Sequence, residues 1–363
     1  MTMAGPALQV YAGPRARSWL RERGLQPDDV RAVPGAAGGA KGLVLNAIDR
    51  FVFAHWLPGA RAGSGTVHLL GASIGAWRMA SACLADADAA LARLAEDYIT
   101  QRYDHAPGRA PAPSHVSAVF GAKLAAHFGG REAEILGHPR WRVHVFTSHG
   151  RHLLARQGRW RTPLGYAGAF FGNAVHRRML GGWIERVVFS DPRDALPLPL
   201  ADFHGGQVAL SAANLQPAVL ASCSIPFWLD AVHDIPGGPP GAYWDGGITD
   251  YHLHLDYAAI ADGLVLYPHF QPQIVPGWLD KPFKRRHRAS RKLDNLVVLA
   301  PHPDWIAALP NAKLPSRDDF KAYGDDHAGR QRAWRSALAE SARLADEFAA
   351  LVERESIEAL PLP

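Results

Sequence analysis

The stretch Thr66-Val67-His68-Leu69-Leu70-Gly71-Ala72-Ser73-Ile74-Gly75-Ala76-Trp77 runs from an apolar segment through a glycine turn into a helical pattern. Residues 66–70 are predicted to form a strand, entered from Ser64-Gly65, and the helix is predicted to continue to about Leu84. G-x-S-x-G at a strand-to-helix junction is the pattern of a nucleophile elbow. Gly71 and Gly75 leave room for the sharp turn. The Ser73 hydroxyl then projects from the strand end beside a helix N-terminus, whose partial positive charge favours a developing oxyanion. The competing reading is a glycine turn that happens to carry a serine.

One unit upstream the same rhythm occurs. A strand is predicted around 30–33, a glycine-rich turn over 35–42, and a helical pattern from Lys41 to about Trp56 that Pro58 and Gly59 end. Strand, turn and helix repeated in this way predict an α/β fold with a mostly parallel central sheet covered by helices. The turn Ala37-Gly38-Gly39-Ala40-Lys41-Gly42 can converge backbone N–H groups on one point, as an anion nest. Such a nest suits a phosphate or the oxyanion of an acyl-transfer intermediate. No Ser or Thr follows Lys41, so it is not a nucleotide-binding P-loop. Its place one unit before the elbow favours the oxyanion. A serine nucleophile also needs a base. The run Tyr243-Trp244-Asp245-Gly246-Gly247-Ile248 offers a carboxylate on a glycine turn.

Elsewhere helices are predicted at 16–23 and 87–101, a loop at 107–113, and strands at 141–148, 186–189 and 295–300. A helix is predicted over 208–220, with Pro217 as the point where it could divide or kink. The glycine-rich aromatic stretch from Tyr166 to Trp183 is read as core first, with an acyl-pocket lining or lid as the alternative. The last thirty or so residues read as a helix with Trp334, Leu338, Leu344, Phe348 and Leu351 along one stripe, taken as core or dimer contact.

Composition narrows the function classes. The chain has 363 residues, 48% apolar and 20% charged, so it builds a sizeable core and is not disordered. Cys83 and Cys223 are its only cysteines, which excludes a disulfide framework, zinc fingers and iron–sulfur arrays. A net charge of +5 permits an anionic partner without demanding one. The 11 tryptophans are read chiefly as core. No stretch is apolar over about 18 residues, so no membrane-spanning helix is expected. The opening Met1-Thr-Met-Ala-Gly-Pro lacks a secretory pattern, and a cytoplasmic location is expected.

Three separated motifs, in order, resemble the patatin-like phospholipase family. The family's glycine-rich loop appears as Ala37-Gly38-Gly39-Ala40-Lys41-Gly42, its elbow as Gly71-Ala72-Ser73-Ile74-Gly75, and its aspartate motif as Asp245-Gly246-Gly247. Ala221-Ser222-Cys223-Ser224-Ile225-Pro226 resembles a further family segment upstream of the aspartate. The resemblance spans roughly 30–256. It implies a Rossmann-like three-layer α/β/α sandwich and a lipid acyl hydrolase with a Ser–Asp dyad. Ser73 is then the nucleophile, Asp245 the base, and Gly38, Gly39 and Ala40 the oxyanion donors, with no cofactor or metal. The expected substrate is an acyl ester or lipid. Two departures stand out. Ala37 replaces the loop's first glycine, and Thr249-Asp250-Tyr251-His252-Leu253-His254-Leu255-Asp256 follows the aspartate motif where the family often has asparagines and a proline. The expected organisation is a hydrolase domain over 1–300, with an inserted cap around 100–185, and a helical extension over 301–363 packed on it.

Rival readings use the same residues. A Ser–His–Asp hydrolase would add His252, His254, His269 or His302. On a strand, Asp250, His252, His254 and Asp256 share one face and are suitable metal ligand types; a polar strand face or loop is the alternative. A lipid-binding protein without catalysis is the reading from a different class. The basic segment 281–292, beside Trp278 and Phe283, is expected to touch an anionic membrane surface transiently, with a solvated loop as its alternative. No nucleic acid partner is expected.

Overall fold

The computed structural model describes residues 5–105 and 110–363, so residues 107–109 of the predicted loop lie outside the described residues. The strands, in chain order, are β1 (Leu8–Ala12), β2 (Val30–Gly35), β3 (Val67–Ala72), β4 (Trp141–Gly150), β5 (Ile184–Ser190), β6 (Gly205–Ala209), β7 (Val232–His233), β8 (Ala242–Trp244), β9 (Leu264–Pro268), β10 (Leu296–Pro301) and β11 (Leu360–Pro361). They form one mixed sheet in the order β11-β1-β10-β9-β2-β3-β4-β5-β6, with β8 on β4 and β7 on β8. The block β10-β9-β2-β3-β4 is parallel throughout. Its strands β3, β4, β9 and β10 are buried along their whole length, as a sheet covered on both faces requires. Helices flank it, giving the mostly parallel α/β/α arrangement that the strand–turn–helix rhythm implied.

β4 sets the site. It is 10 residues long, and one of its edges serves two partners. β3 pairs in parallel with its first part, ending at Ala72 opposite Phe146. β8 pairs antiparallel further along, with Trp244 opposite Ser148. The two strands therefore abut head-on. Ser73 follows Ala72 and Asp245 follows Trp244, so both residues converge on the gap beside Thr147. β4 also lies within 100–185, so that segment is not wholly an inserted cap; an apolar strand such as this one is buried in the sheet.

Several elements differ from the sequence reading. The predicted helix 41–56 is helical but irregular: a 3₁₀ turn Gly39–Leu45, an α-turn Asn46–Arg50 and a π-helical turn Phe51–Trp56. The helix predicted from Val208 is β6 followed by a helix Leu215–Ser222. Pro217 stands in that helix's first turn, where its missing N–H has no intrahelical acceptor to lose, so no kink results. The C-terminal pattern is two helices, His327–Glu340 and Ala342–Val352, divided at Ser341, with Trp334, Leu344 and Phe348 buried and Leu338 and Leu351 half-buried. The tryptophans divide as well: Trp77, Trp244, Trp305 and Trp334 are core, while Trp160 and Trp228 are exposed.

Candidate active site

The elbow is built by close approach. The helix Ile74–Ala82 begins directly after Ser73, and its first glycine lies against the end of β2. A Cβ on Gly75 would stand 1.8 Å from the Gly35 carbonyl oxygen, so only glycine lets the helix sit there. Ser73 itself has φ 55° and ψ −129°, a strained conformation for a residue with a side chain. The strain is held by its surroundings. The Ser73 N–H donates to Ser222 Oγ at 2.8 Å, and Ser222 Oγ donates to the Phe146 carbonyl at 2.7 Å. The Gly246 N–H donates to the Ser222 carbonyl at 3.0 Å. Ser222 thus ties elbow, β4 and aspartate turn together.

Within this frame the Ser73 hydroxyl donates to Asp245 Oδ2 at 2.7 Å. Asp245 Oδ1 accepts the Gly247 N–H at 2.7 Å, which fixes the carboxylate plane. Both residues are buried, and no histidine stands between them. Burial pushes the Asp245 carboxyl from 3.8 up to about 6, against the opposing pull of the Ser73 hydroxyl, the Gly247 N–H, and the charges of Arg317 and Lys281. The group is ionised at neutral pH but more basic than a surface carboxylate, which suits proton abstraction.

The glycine loop faces this pair. Gly38 and Gly39 line the same narrow cleft as Ser73 and Asp245. Gly39 takes φ 57°, the left-handed region that glycine tolerates. Gly38 and Gly39 precede and open the 3₁₀ turn, where the first N–H groups have no intrahelical acceptor. Ala40 is buried and does not line the cleft; Lys41 turns away, its ammonium 5.2 Å from the Phe270 ring centre. Gly42 packs toward Ile74 and Arg78 of the elbow helix. Arg78 also donates twice to the buried Asp49 carboxylate, at 2.6 and 2.7 Å, locking the loop's helix to the elbow's helix. Ala37 is accommodated because Gly247 opposite it has no side chain, and its N–H is already taken by the Tyr251 carbonyl at 2.9 Å.

A sequence model of the patatin-like phospholipase family, a family of lipid acyl hydrolases, matches residues 35–253. The chain belongs to this family. No curated protein matches it. The matched segment of this patatin-like chain contains the glycine loop, the elbow, Ser222 and the aspartate turn.

The cleft also has walls that sequence reasoning did not assign: Ile225 and Pro226, Ile248, Tyr251, Trp278 and Arg317. Ile225-Pro226 belongs to a segment quoted for its resemblance, but nothing flags Arg317, which follows Leu314-Pro315-Ser316 in a loop without a motif. The free volume is about 40 Å³, room for roughly three waters.

Three of the four rival histidines are engaged elsewhere, and burial pushes the fourth, His254, down to about 4. His252 and His269 are buried and forced toward the neutral form by burial, and their Nδ1 atoms contact the Gln273 and Gln271 carbonyls. His302 caps the helix Pro303–Ala308. The run 250–256 is not a strand: Asp250 ends the short helix Gly247–Asp250, and Leu253 takes φ 45°. Asp250 instead pairs with the buried Arg186 guanidinium at 2.6 and 2.7 Å. Among the described residues no group of three or more His, Cys, Asp or Glu is placed to hold a metal.

Proposed function

We propose that this protein hydrolyses carboxylic esters of lipids through Ser73 and Asp245. The observation that carries the reading is the 2.7 Å hydrogen bond from the Ser73 hydroxyl to Asp245 at a strained strand–helix turn. Asp245 removes the hydroxyl proton as Ser73 Oγ attacks the ester carbonyl. The oxyanion forms toward the free N–H groups of Gly38 and Gly39, with Ala40 next along the loop. Collapse returns the proton to the leaving alcohol and leaves an acyl ester on Ser73. A water, deprotonated by Asp245, then releases the acid. No step calls for a cofactor.

The substrate approaches, on this reading, from a membrane surface. The helix Arg161–Val175 carries no charged side chain after its first residue, yet its outward face is exposed: Leu164, Phe171 at 68% and Val175 at 76%. Trp160 precedes it, and Phe227 and Trp228 extend the apolar surface to the cleft wall at Ile225-Pro226. Phe227 packs on Tyr166 at 5.8 Å and takes φ 70°, a costly conformation for a bulky residue and one that a moving wall would release. Exposed Arg156, Arg159 and Arg161 flank one end of the helix. At the other end Phe283 of the basic segment stacks on Phe170 at 6.2 Å, with Lys284 and Arg285 exposed beside it. An apolar face with a cationic rim fits an anionic bilayer. Arg286 is not part of that rim, since it pairs with Asp280 at 2.7 Å. Among the described residues no helix is long and apolar enough to cross a membrane.

The test is hydrolysis of short- to long-chain p-nitrophenyl esters by wild type and by Ser73→Ala. Turnover that falls by about a thousandfold or more in the variant is expected. Equal rates in the two proteins would contradict the mechanism. For the surface, Phe171→Asp with Val175→Asp is expected to abolish co-sedimentation with vesicles containing an anionic phospholipid. Unchanged sedimentation would place membrane contact elsewhere or nowhere.

A further inference from the structure

Behind the Tyr251 wall of the cleft lies a second cavity of about 610 Å³. Lys41, Lys281, Lys284 and Arg288 line it, with Gln273 and the chain's last residue, Pro363, closing its sides. No Asp or Glu side chain lines it, and the Pro363 carboxylate at its wall accepts the Ala289 N–H at 2.8 Å and makes no ion pair with these cations. Tyr251 belongs to both cavities, and the Lys281 ammonium sits 4.1 Å from its ring centre.

None of these four cations makes an ion pair among the described residues, and the only anionic groups acting on Lys41 and Lys281 through space are Asp318 and Asp245. The buried carboxylate of the region, Asp280, is already saturated: Arg177, Arg286 and Asn173 all donate to it. Lys41 and Lys281 are half-buried and rest on aromatic faces, with no ion pair among the described residues. From the cleft side Arg317 adds a further positive charge, and its Nη1 is buried without a partner. Burial, then repulsion from Lys41 and Arg317, pushes the Lys281 ammonium down to about 8, with Asp245 and the exposed Asp318 pulling the other way. Holding like charges together in a partly dry site is costly unless an anion completes it.

We infer that the Lys41–Lys281–Lys284–Arg288 cavity binds a phosphate-class anion one aromatic ring away from the Ser73–Asp245 cleft. A doubly charged tetrahedral oxyanion accepts from several ammonium groups at once, which a single carboxylate does less well. Lys281, Lys284 and Arg288 lie beyond the segment matched to the family, while Lys41 and Tyr251 lie within it, so the site is shared between the two. Its coupling to catalysis rests on the ester-hydrolase reading; anion binding itself does not.

The test is calorimetric titration of the intact protein with sn-glycerol 3-phosphate and with inorganic phosphate, using glycerol as the uncharged control. Saturable binding of the phosphates, and none of glycerol, is expected. Lys281→Gln and the more exposed Lys284→Gln should each weaken it by about tenfold or more. Arg61→Gln, on the far surface, controls for net charge, and melting curves of each variant confirm folding. No saturable binding, or equal weakening by Arg61→Gln, overturns the site. Tighter binding of glycerol 3-phosphate, with inhibition of phospholipid hydrolysis but not of p-nitrophenyl ester hydrolysis, assigns the anion to a lipid headgroup. Equal binding of inorganic phosphate with altered p-nitrophenyl ester turnover assigns it to free phosphate. Binding with no ester turnover at all upholds the site while removing the hydrolase reading.

Discussion

At the scale of the residue, Asp245 carries two opposed demands. On the proposed mechanism it must be ionised to accept the Ser73 proton, while the fold holds it buried. Burial raises its carboxyl from 3.8 to about 6. The rate kcat/KM is therefore expected to climb with pH along an acid limb centred near that value, as Asp245 loses its proton. A limb centred near 4, or none, would mean that the titrating base is another group. Stability runs the opposite way. A carboxyl raised in the fold binds a proton more tightly there than in the unfolded chain. Its stabilising contribution is full below the unfolded value, is lost as pH rises through the folded value, and above that the buried charge costs about 3 kcal/mol. Asp245→Asn keeps the shape and removes the charge. It is expected to lose at least about a thousandfold in rate yet melt a few degrees higher than wild type at pH about 8, with the advantage shrinking toward pH about 4. A variant that melts lower at both pH values would show that the carboxylate's hydrogen bonds outweigh its desolvation.

At the scale of the element, the site is a matter of register and clearance. The abutting of β3 and β8 on one edge of β4 depends on pairing Ser148 with Trp244 across a long loop of chain. No local pattern encodes that pairing, so the sequence displayed Ser73 and Asp245 as separate glycine turns but not their meeting. What was legible is what backbone sterics demand locally: glycines at 71, 75, 246 and 247 are visible because a side chain there meets backbone or a neighbour at once. What misled was periodicity alone. Asp250 to Asp256 alternates like a strand, yet the turn begun at Gly246-Gly247 and the Arg186 pair bend it away. Gly75→Ala tests the clearance. Its methyl would overlap the Gly35 carbonyl, and two packed backbones cannot both yield, so a loss of about 3 kcal/mol or more and of most activity is expected. Gly137→Ala ends a helix with nothing within 4 Å and should be neutral or slightly stabilising in the same thermal melts. Similar melting of both variants would mean that the elbow is looser than its contacts.

At the scale of the whole molecule, the question is whether residues 301–363 are an appendage or part of one cooperative unit. The sequence offered only an amphipathic stripe there, because which face it covers is decided by tertiary packing. The packing is extensive. Phe348 inserts edge-on between Phe51 and Trp56, at 5.9 and 5.4 Å. Glu347 accepts the backbone N–H groups of Ala7 and Leu8 at 2.8 and 2.9 Å, holding the start of β1. β1 in turn pairs with β10, and β11 with β1, so both ends of the described chain share one sheet edge. The same segment delivers Arg317 to the cleft. One continuous core joins Phe348 to the strands that carry Ser73. Phe348→Ala removes a wholly buried ring and should cost about 3–5 kcal/mol. If the chain is one unit, that loss shifts a single calorimetric transition bodily downward, with calorimetric and van't Hoff enthalpies still equal. If the extension is an appendage, the variant splits the melt into two transitions, the lower one losing the C-terminal helices while the sheet persists. The contacts of Phe348 with Phe51 and Trp56, and of Glu347 with the start of β1, favour the first outcome, since the C-terminal helices cannot leave without exposing the core those residues share.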